Sequence, residues 1–225
     1  MDTNTRQWRV RAVPALADNY IWMLHDASGR ALVVDPGDAA PVEQAAADGL
    51  LPVAVLLTHH HHDHIAGLQG IRQRWPVVCA APHDRRIDDV DLRLGDGDTV
   101  PLEALGLGAG DGSGPLRALE VPGHTRTHAA YVIDGRLFCG DTLFSLGCGR
   151  LFEGTPAQML ASLDRLAALP DDTQVYCGHE YTEANGRFAL EVDPGNDDLR
   201  AWLAEVARRR AAGEPSLPST IGTER

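Results

Sequence analysis

The chain has 225 residues, of which 44% are hydrophobic and 23% charged, a composition typical of a soluble globular protein. Its formal net charge of −12 disfavours nucleic acid as a partner, because affinity for a polyanion comes from clustered Lys and Arg. All 20 cationic residues are arginine, so lysine Schiff-base chemistry and a Walker A phosphate loop are excluded.

No segment of the sequence indicates export or membrane insertion. Residues 1–7 lack an apolar signal core, and no apolar run approaches the ~20 residues that a membrane helix needs. The four cysteines are far apart and form no C-x-x-C pair, so we expect them to be reduced and mostly buried. These features predict a cytoplasmic protein with no membrane partner, and a monomer is the default expectation.

Strand-like and helix-like segments alternate over the first 80 residues. Period-two alternation and short apolar runs predict strands over residues 10–16, 20–24, 31–34, 53–57 and 77–80. Helical composition is found over residues 41–50 and 65–75. The Asp35-Pro36-Gly37 turn ends the third strand, and the uniformly apolar run 53–57 is typical of a buried strand.

The second half of the chain repeats the strand pattern before it becomes helical. Strands are predicted over residues 116–121, 129–133, 136–139 and 175–177, with Asp134-Gly135 as a hairpin turn. A helix is predicted over residues 155–169, with Thr155 as its N-cap and Pro156 at its first position. Residues 105–114 are glycine-rich and predict an exposed loop, and the pattern after Tyr181 is helical.

The histidine-rich segment 58–64 directly follows the apolar run 53–57. Within it His59 and His61 are two residues apart, so an extended backbone points both side chains the same way, and Asp63 and His64 then turn the chain. Imidazole and carboxylate groups bind Zn, Fe and similar ions, and this H-x-H-x-D-H string holds more ligands than one ion needs. The alternative, from this string alone, is a solvated histidine-rich loop or one adventitious site.

Three distant residues oppose that alternative. His124, Asp141 and His179 each lie just after a predicted strand, in a turn that contains glycine. Ligands at the ends of buried strands are held by a rigid sheet while they face a surface crevice. Together with the histidine-rich segment, these residues predict a binuclear metal site.

Five strings carry a resemblance to a known family. They are T-H-H-H-x-D-H from residue 58, P-G-H-T from 122, G-D-T-L-F from 140, G-C-G-R-x-F-E-G from 147 and Y-C-G-H-E-Y-T from 176. The set resembles the hydroxyacylglutathione hydrolases, or glyoxalase II enzymes, of the metallo-β-lactamase superfamily. The first string indicates only the superfamily, whereas the last two are more specific. The resemblance implies an α/β fold, the four-layer αβ/βα sandwich, over residues 1–172, followed by a short C-terminal helical region over 173–225 that binds substrate.

The resemblance also implies two divalent metal ions, for which we expect Zn, although the same nitrogen and oxygen ligands accept Fe or Mn. One ion would be bound by His59, His61 and His124, the other by Asp63, His64 and His179, and both by Asp141. Two dications about 3.5 to 4 Å apart lower the pKa of a shared water toward neutrality, which supplies a nucleophile. The implied catalytic residues are therefore Asp141, as the bridge, and Asp63, as a group that orients the hydroxide.

The implied reaction is hydrolysis of an S-(2-hydroxyacyl)glutathione thioester, such as S-lactoylglutathione, to glutathione and D-lactate, a step of methylglyoxal detoxification. Arg150 and Tyr181 match family positions that contact glutathione, and Phe152 stands where tyrosine is frequent. An arginine suits a peptide carboxylate, although a loop-bracing ion pair is the alternative for Arg150. A thiol leaving group with a pKa of ~8.5 needs no strong general acid.

Three other functions share parts of these motifs. A persulfide dioxygenase with one iron shares much of the ligand string, but Leu151-Phe152-Glu153-Gly154 favours the hydrolase. A lactonase or another thioesterase is the second alternative, and a metal-loaded binding protein without turnover is the third. Relatives continue beyond the equivalent of Arg225 with helices that carry a basic pair, so we expect weakened affinity for glutathione thioesters.

Overall fold

Two six-stranded β-sheets pack against each other in the computed structural model, which describes residues 8–108 and 114–225. The strands of the first sheet, in sheet order, are β1 (Arg9–Ala15), β2 (Asn19–His25), β3 (Arg30–Val34), β4 (Leu51–Leu56), β5 (Val78–Pro82) and β6 (Leu92–Leu94). Strands β1 to β3 are antiparallel, and β3 to β6 are parallel. The parallel strands therefore end at the same edge of the sheet, where the histidine-rich segment follows β4.

The strands of the second sheet are β7 (Thr99–Val100), β8 (Leu116–Glu120), β9 (Ala129–Ile133), β10 (Arg136–Gly140), β13 (Gln174–Cys177) and β14 (Ser219–Thr220), while β11 (Leu143–Phe144) and β12 (Gly147–Cys148) form a separate hairpin. This sheet is mixed, and its strand order is β14-β13-β10-β9-β8-β7. Strands β10 and β13 are parallel and end side by side. The division of the chain at residue 172 stays a prediction, and the two strands that follow it, β13 and β14, lie in this second sheet.

Helices cover the outside of the sandwich and form the C-terminal part of the chain. They are α1 (Ala40–Ala47), α2 (His62–Ile65), α3 (Leu68–Arg74), α4 (Pro156–Ala167), α5 (Thr182–Val192), α6 (Asp197–Ala211) and α7 (Ile221–Glu224). The helix predicted over 65–75 is confirmed as α3, but it begins at Leu68 and ends at Arg74, because Gly67 separates it from α2. The backbone of Gly67 packs against Pro36, and its N–H donates to the Pro36 carbonyl at 2.8 Å. Among the described residues, no helix combines the length and the apolar character that crossing a membrane requires.

Strand β2 shows why the first sheet is buried on both faces. Trp22 and Leu24 point into the core between the sheets, whereas Ile21 and Met23 point into a second core that contains residues of α1 and α3. This alternation follows from the period of two along a strand. The Trp22 indole N–H donates to the Cys177 carbonyl at 2.8 Å and so joins the middle of β2 to the end of β13 in the other sheet.

Local signals of the sequence are confirmed at two positions and wrong at one. Thr155 caps α4 in a reciprocal capping box with Gln158, and the Asp134-Gly135 turn joins β9 to β10 with positive φ at both residues. The exposed loop predicted over 105–114 is wrong at Leu105 and Leu107, which are buried in the core between the sheets, whereas Gly114 is exposed. Residues 109–113 of that prediction lie outside the described residues.

Candidate metal centre

The seven predicted ligands meet at one edge of the sandwich because each follows the end of a strand. His59 lies after β4, His124 after β8, Asp141 after β10 and His179 after β13. Glycines allow the loops to approach one another: a Cβ on Gly140, whose φ is +48°, would lie 2.3 Å from Thr58 Oγ1. A Cβ on Gly178 would lie 2.6 Å from Asp141 Oδ1. The close approach of the loops explains the glycine in the G-D-T and G-H-E strings.

The first three predicted ligands form one cluster. The Nδ1 atom of His61 lies 3.0 Å from Nε2 of His59 and 3.0 Å from Nε2 of His124. The opposite nitrogen of His124, Nδ1, lies 2.8 Å from the Arg150 carbonyl, which can only accept, so this nitrogen carries the proton. Thr58 Oγ1 donates to Asp35 and accepts from Nδ1 of His59 at 3.0 Å. The Nε2 atoms of His59 and His124 are therefore unprotonated, and both face Nδ1 of His61.

The other three predicted ligands form a second cluster. Asp63 Oδ2 lies 3.5 Å from Nε2 of both His64 and His179. The outer nitrogens of these histidines contact carboxylates, at 3.0 Å for His64 Nδ1 to Asp35 Oδ2 and at 2.8 Å for His179 Nδ1 to Asp18 Oδ1. Such outer partners fix the tautomer and orientation of a metal-binding histidine.

Asp35 and Asp18 were missed as functional residues by sequence reasoning, which read Asp35 only as part of a turn. Asn19 was also missed, and its side-chain amide donates to Asp63 Oδ2 at 3.0 Å. The available signal was their position: both aspartates lie next to a strand of the first sheet, at the edge where the ligand loops gather.

Asp141 lies between the two clusters. Its Oδ2 is 3.4 Å from His124 Nε2 and 3.3 Å from His179 Nε2, and its Oδ1 is 3.4 Å from His64 Nε2. Both Asp141 Oδ1 and His64 Nε2 are buried and have no hydrogen-bond partner among the described residues. Leaving a buried polar atom unsatisfied costs about 1–3 kcal/mol. Cations held between these atoms would satisfy them, so the donor set fits a pair of metal ions.

The electrostatics of the centre differ between its two sides. Burial and neighbouring histidines lower the pKa of His59 and His61, and burial lowers the pKa of His124. Burial also opposes charge on His64, but the carboxylates of Asp141, Asp35 and Asp63 together outweigh it and raise the pKa of His64 to about 9. Burial opposes charge on Asp141 as well, but the surrounding histidines His64, His179 and His124 together outweigh it and lower the pKa of this carboxyl group. The first cluster is thus neutral and ready to bind a cation, whereas the second holds a proton that a cation must displace.

A cavity of about 640 Å³ opens above the centre. It is lined by His61, His62, Asp63, His124, Asp141, Phe144, Arg150, Phe152, His179 and Tyr181. All three predicted substrate-binding residues therefore lie at the same cavity as the ligands. Another cavity of about 680 Å³ lies among residues of α5, α6 and α7, but its lining contains none of the candidate ligands.

The predicted substrate residues present one cation and two aromatic rings. Phe152 is 60% exposed, and its ring stands edge-on at 5.5 Å from His61 and 5.2 Å from His124. The Arg150 guanidinium lies 5.9 Å from the centre of the Phe152 ring. Tyr181 stacks on His179 at 4.7 Å, with an interplanar angle of 7°. A large exposed aromatic ring beside buried polar ligands offers an apolar contact surface at the entrance of the cavity.

The remaining histidines of the region lie outside the two clusters. His128 is buried, stacks on His59 at 4.7 Å, and its Nε2 accepts from the backbone N–H of Asp141 at 3.2 Å. His60 lies between the carboxylates of Asp84 and Glu153, at 3.5 and 3.7 Å. His128 therefore supports the ligand loops from behind, and His60 contacts charged groups on their outer side.

Comparisons with known proteins agree with this geometry. Residues 18–179 match a family described as "Metallo-beta-lactamase superfamily", and residues 180–225 match one described as "Hydroxyacylglutathione hydrolase C-terminus". A protein of Cupriavidus taiwanensis named hydroxyacylglutathione hydrolase is 52% identical over 230 residues, which cover 96% of this chain and 84% of the relative. One of the same name from Xanthomonas campestris pv. campestris is 52% identical over 218 residues, covering 96% and 82%. The crystal structure of ETHE1 from Myxococcus xanthus has a TM-score of 0.64 at 25% identity, over 94% of each chain.

Proposed function

We propose that the chain, which belongs to the hydroxyacylglutathione hydrolase family of the metallo-β-lactamase superfamily, hydrolyses the thioester bond of S-(2-hydroxyacyl)glutathione. The observation that carries this proposal is the site itself. Two triplets of ligand atoms face one carboxylate, Asp141, below a cavity whose entrance holds Arg150, Phe152 and Tyr181. S-Lactoylglutathione is the substrate that we infer, with glutathione and D-lactate as the products of a step in methylglyoxal detoxification.

Two divalent ions, for which we propose Zn, would be held by His59, His61 and His124 on one side and by Asp63, His64 and His179 on the other, with Asp141 between them. When bound, they supply a Lewis acid for the thioester carbonyl and make water nucleophilic near neutral pH.

The chain's own contribution to this chemistry is orientation of the ligands. The carboxylates of Asp35 and Asp18 hold Nδ1 of His64 and His179, so that Nε2 of each ring points inward. The Asn19 amide holds Asp63 Oδ2 in place. Ligands fixed in this way need no rearrangement when the charge distribution changes during reaction.

Arg150, Phe152 and Tyr181 are the residues that we propose for binding the thiol part of the substrate. A guanidinium is suited to pairing with a carboxylate of the glutathione peptide. Burial raises the pKa of Tyr181 to about 12, with the charges of Asp18 and Asp141 adding to the effect, so its hydroxyl stays a hydrogen-bond donor at neutral pH. The thiol that is released has a pKa of ~8.5, so it can depart as a thiolate without a dedicated general acid.

The first test is hydrolysis of S-lactoylglutathione by the wild-type chain and by Asp141→Ala, with the metal content of both proteins measured. We expect turnover by the wild type and its loss in the variant. The same proteins are assayed with coenzyme A thioesters and with lactones. Oxygen consumption with glutathione persulfide is measured with an oxygen electrode. Two bound metals without thioester turnover would contradict the proposal, and turnover of another substrate would favour the lactonase, general thioesterase or dioxygenase. The names of the relatives favour the hydroxyacylglutathione hydrolase over those alternatives.

A further inference from the structure

A charged cluster lies beside the metal centre and joins loops that are distant in the sequence. We call it the Arg86 cluster and define it as Asp84, Arg86 and Glu153. Asp84 and Arg86 follow β5, whereas Glu153 belongs to the segment that carries Arg150 and Phe152. The cluster therefore joins a loop outside the cavity to a loop at its entrance.

Arg86 forms a two-pronged ion pair with Asp84. Its Nε donates to Asp84 Oδ1 at 2.9 Å, and its Nη2 donates to Asp84 Oδ2 at 2.7 Å. The Asp84 side chain is only 3% exposed and also accepts from the hydroxyl of Thr127, three residues after His124. This fork-to-fork geometry orients the guanidinium firmly, because two parallel hydrogen bonds remove its rotational freedom.

The remaining donors of Arg86 reach the second carboxylate. Nη1 donates to Glu153 Oε1, and Nη2 lies 3.3 Å from Glu153 Oε2. Glu153 Oε2 also accepts from the backbone N–H of Arg126 at 2.9 Å. Without Arg86, Asp84 and Glu153 would face each other as like charges, with His60 between them at 3.5 and 3.7 Å.

The segment held by Glu153 is also paired with the loop of His124. Nδ1 of His124 donates to the Arg150 carbonyl at 2.8 Å, and the N–H of Phe152 donates to the His124 carbonyl at 3.2 Å. The N–H of Gly154 donates to the Gly123 carbonyl at 3.0 Å. The position of Arg150 and Phe152 relative to the ligands thus depends on a short backbone pairing that the Arg86 cluster closes at one end.

We propose that Arg86 is a positioning residue, which holds segment 150–154 against the His124 loop and thereby sets the affinity for the thiol part of the substrate. This inference rests on the proposed function. Arg86 is 47% exposed, and exposed ion pairs contribute little to global stability. We therefore expect Arg86 to affect the positions of Arg150 and Phe152 at the entrance of the cavity more than the stability of the protein.

The kinetic test compares Arg86→Ala and Arg86→Lys with Arg72→Ala. Arg72 is the matched control, because it also pairs with two carboxylates, Asp89 at 3.2 Å and Asp91, but lies on α3 outside the cavity lining. We expect Arg86→Ala to raise KM for S-lactoylglutathione about tenfold with kcat within twofold of wild type, since a misplaced binding group weakens binding. Arg86→Lys should restore KM in part, because an ammonium lacks the fork that serves both carboxylates.

A measurement without substrate separates this inference from the proposed function. Hydrogen exchange of the peptide that spans 150–154 should be faster in metal-loaded Arg86→Ala than in wild type or Arg72→Ala, because the N–H groups of Phe152 and Gly154 lose protection. A wild-type chain that does not hydrolyse the thioester refutes the proposed function, and the exchange rates then decide whether Arg86 holds the segment. The positioning role of Arg86 would be overturned by any of three results for Arg86→Ala: an unchanged exchange rate, an unchanged KM, or a fall in kcat that is accompanied by loss of bound metal.

Discussion

Asp35 gives a sharp test of how the buried aspartates support the centre. It is buried, has a φ of +51°, and accepts from Thr58 N at 2.7 Å, Thr58 Oγ1 at 2.7 Å and His64 Nδ1 at 3.0 Å. Breaking a buried charged network by removing one partner costs about 3–5 kcal/mol. Alanine in a left-handed conformation adds about 1–2 kcal/mol. We therefore expect Asp35→Ala to lower the free energy of unfolding by at least about 4 kcal/mol.

Asp35→Asn separates the charge from the backbone strain. Asparagine tolerates positive φ, but its NH2 group replaces one of the two acceptor oxygens of Asp35. The hydrogen bonds at that oxygen are therefore lost together with the charge, at about 1.5–3 kcal/mol. We also expect the affinity of the second cluster for Zn to fall about 10- to 100-fold, since His64 loses the group that orients it. Asp134→Asn is the matched control, because Asp134 also has a positive φ, of 46°, but is exposed in a hairpin turn.

The assay is urea unfolding of the metal-free proteins, followed by Zn titration against a chromophoric chelator. We expect Asp134→Asn to stay within about 0.5 kcal/mol of wild type, with unchanged metal affinity. An Asp35→Asn protein that behaves like this control in both measurements would refute the supporting role of Asp35.

Three further outcomes are expected. Thr155→Ala removes the capping box of α4 and should lower the unfolding free energy by about 1 kcal/mol in urea titrations, with kcat unchanged, and a larger loss of activity than of stability would contradict the capping role. Gly178→Ala places a Cβ 2.6 Å from Asp141 Oδ1, so we expect kcat/KM to fall about 100-fold, and wild-type kinetics would show that the loops can separate. Because the raised pKa of His64, about 9, keeps a proton that the second ion must displace, the apparent affinity for that ion should increase with rising pH up to about 9, measured by titration at pH 6.5, 7.5 and 8.5. An affinity that does not change over this range would count against the proton on His64.

Nine of the strands and the positions of the candidate ligands were predictable because both are encoded in short segments, whereas the short strands β6, β7, β11, β12 and β14 were not predicted. A uniformly apolar run predicts a buried strand, and a ligand string directly after it must lie at the edge of a sheet. The Thr155 cap and the Asp134-Gly135 turn were predictable for the same reason, since each depends on residues no more than three positions apart. The break at Gly67 was not predictable, because the backbone that requires it belongs to Pro36, 31 positions earlier in the sequence.

The sequence by itself determined which residues could bind metal and that they follow the strands of an α/β sandwich. Only the tertiary structure decided which nitrogen of each histidine points inward, because that depends on partners such as Asp35 for His64 and Asp18 for His179, which are 29 and 161 positions away. It also decided that Arg86 reaches Glu153 across 67 positions. The physical reason is that hydrophobic periodicity and turn propensity act within a few residues, whereas hydrogen bonds between loops depend on how the two sheets pack.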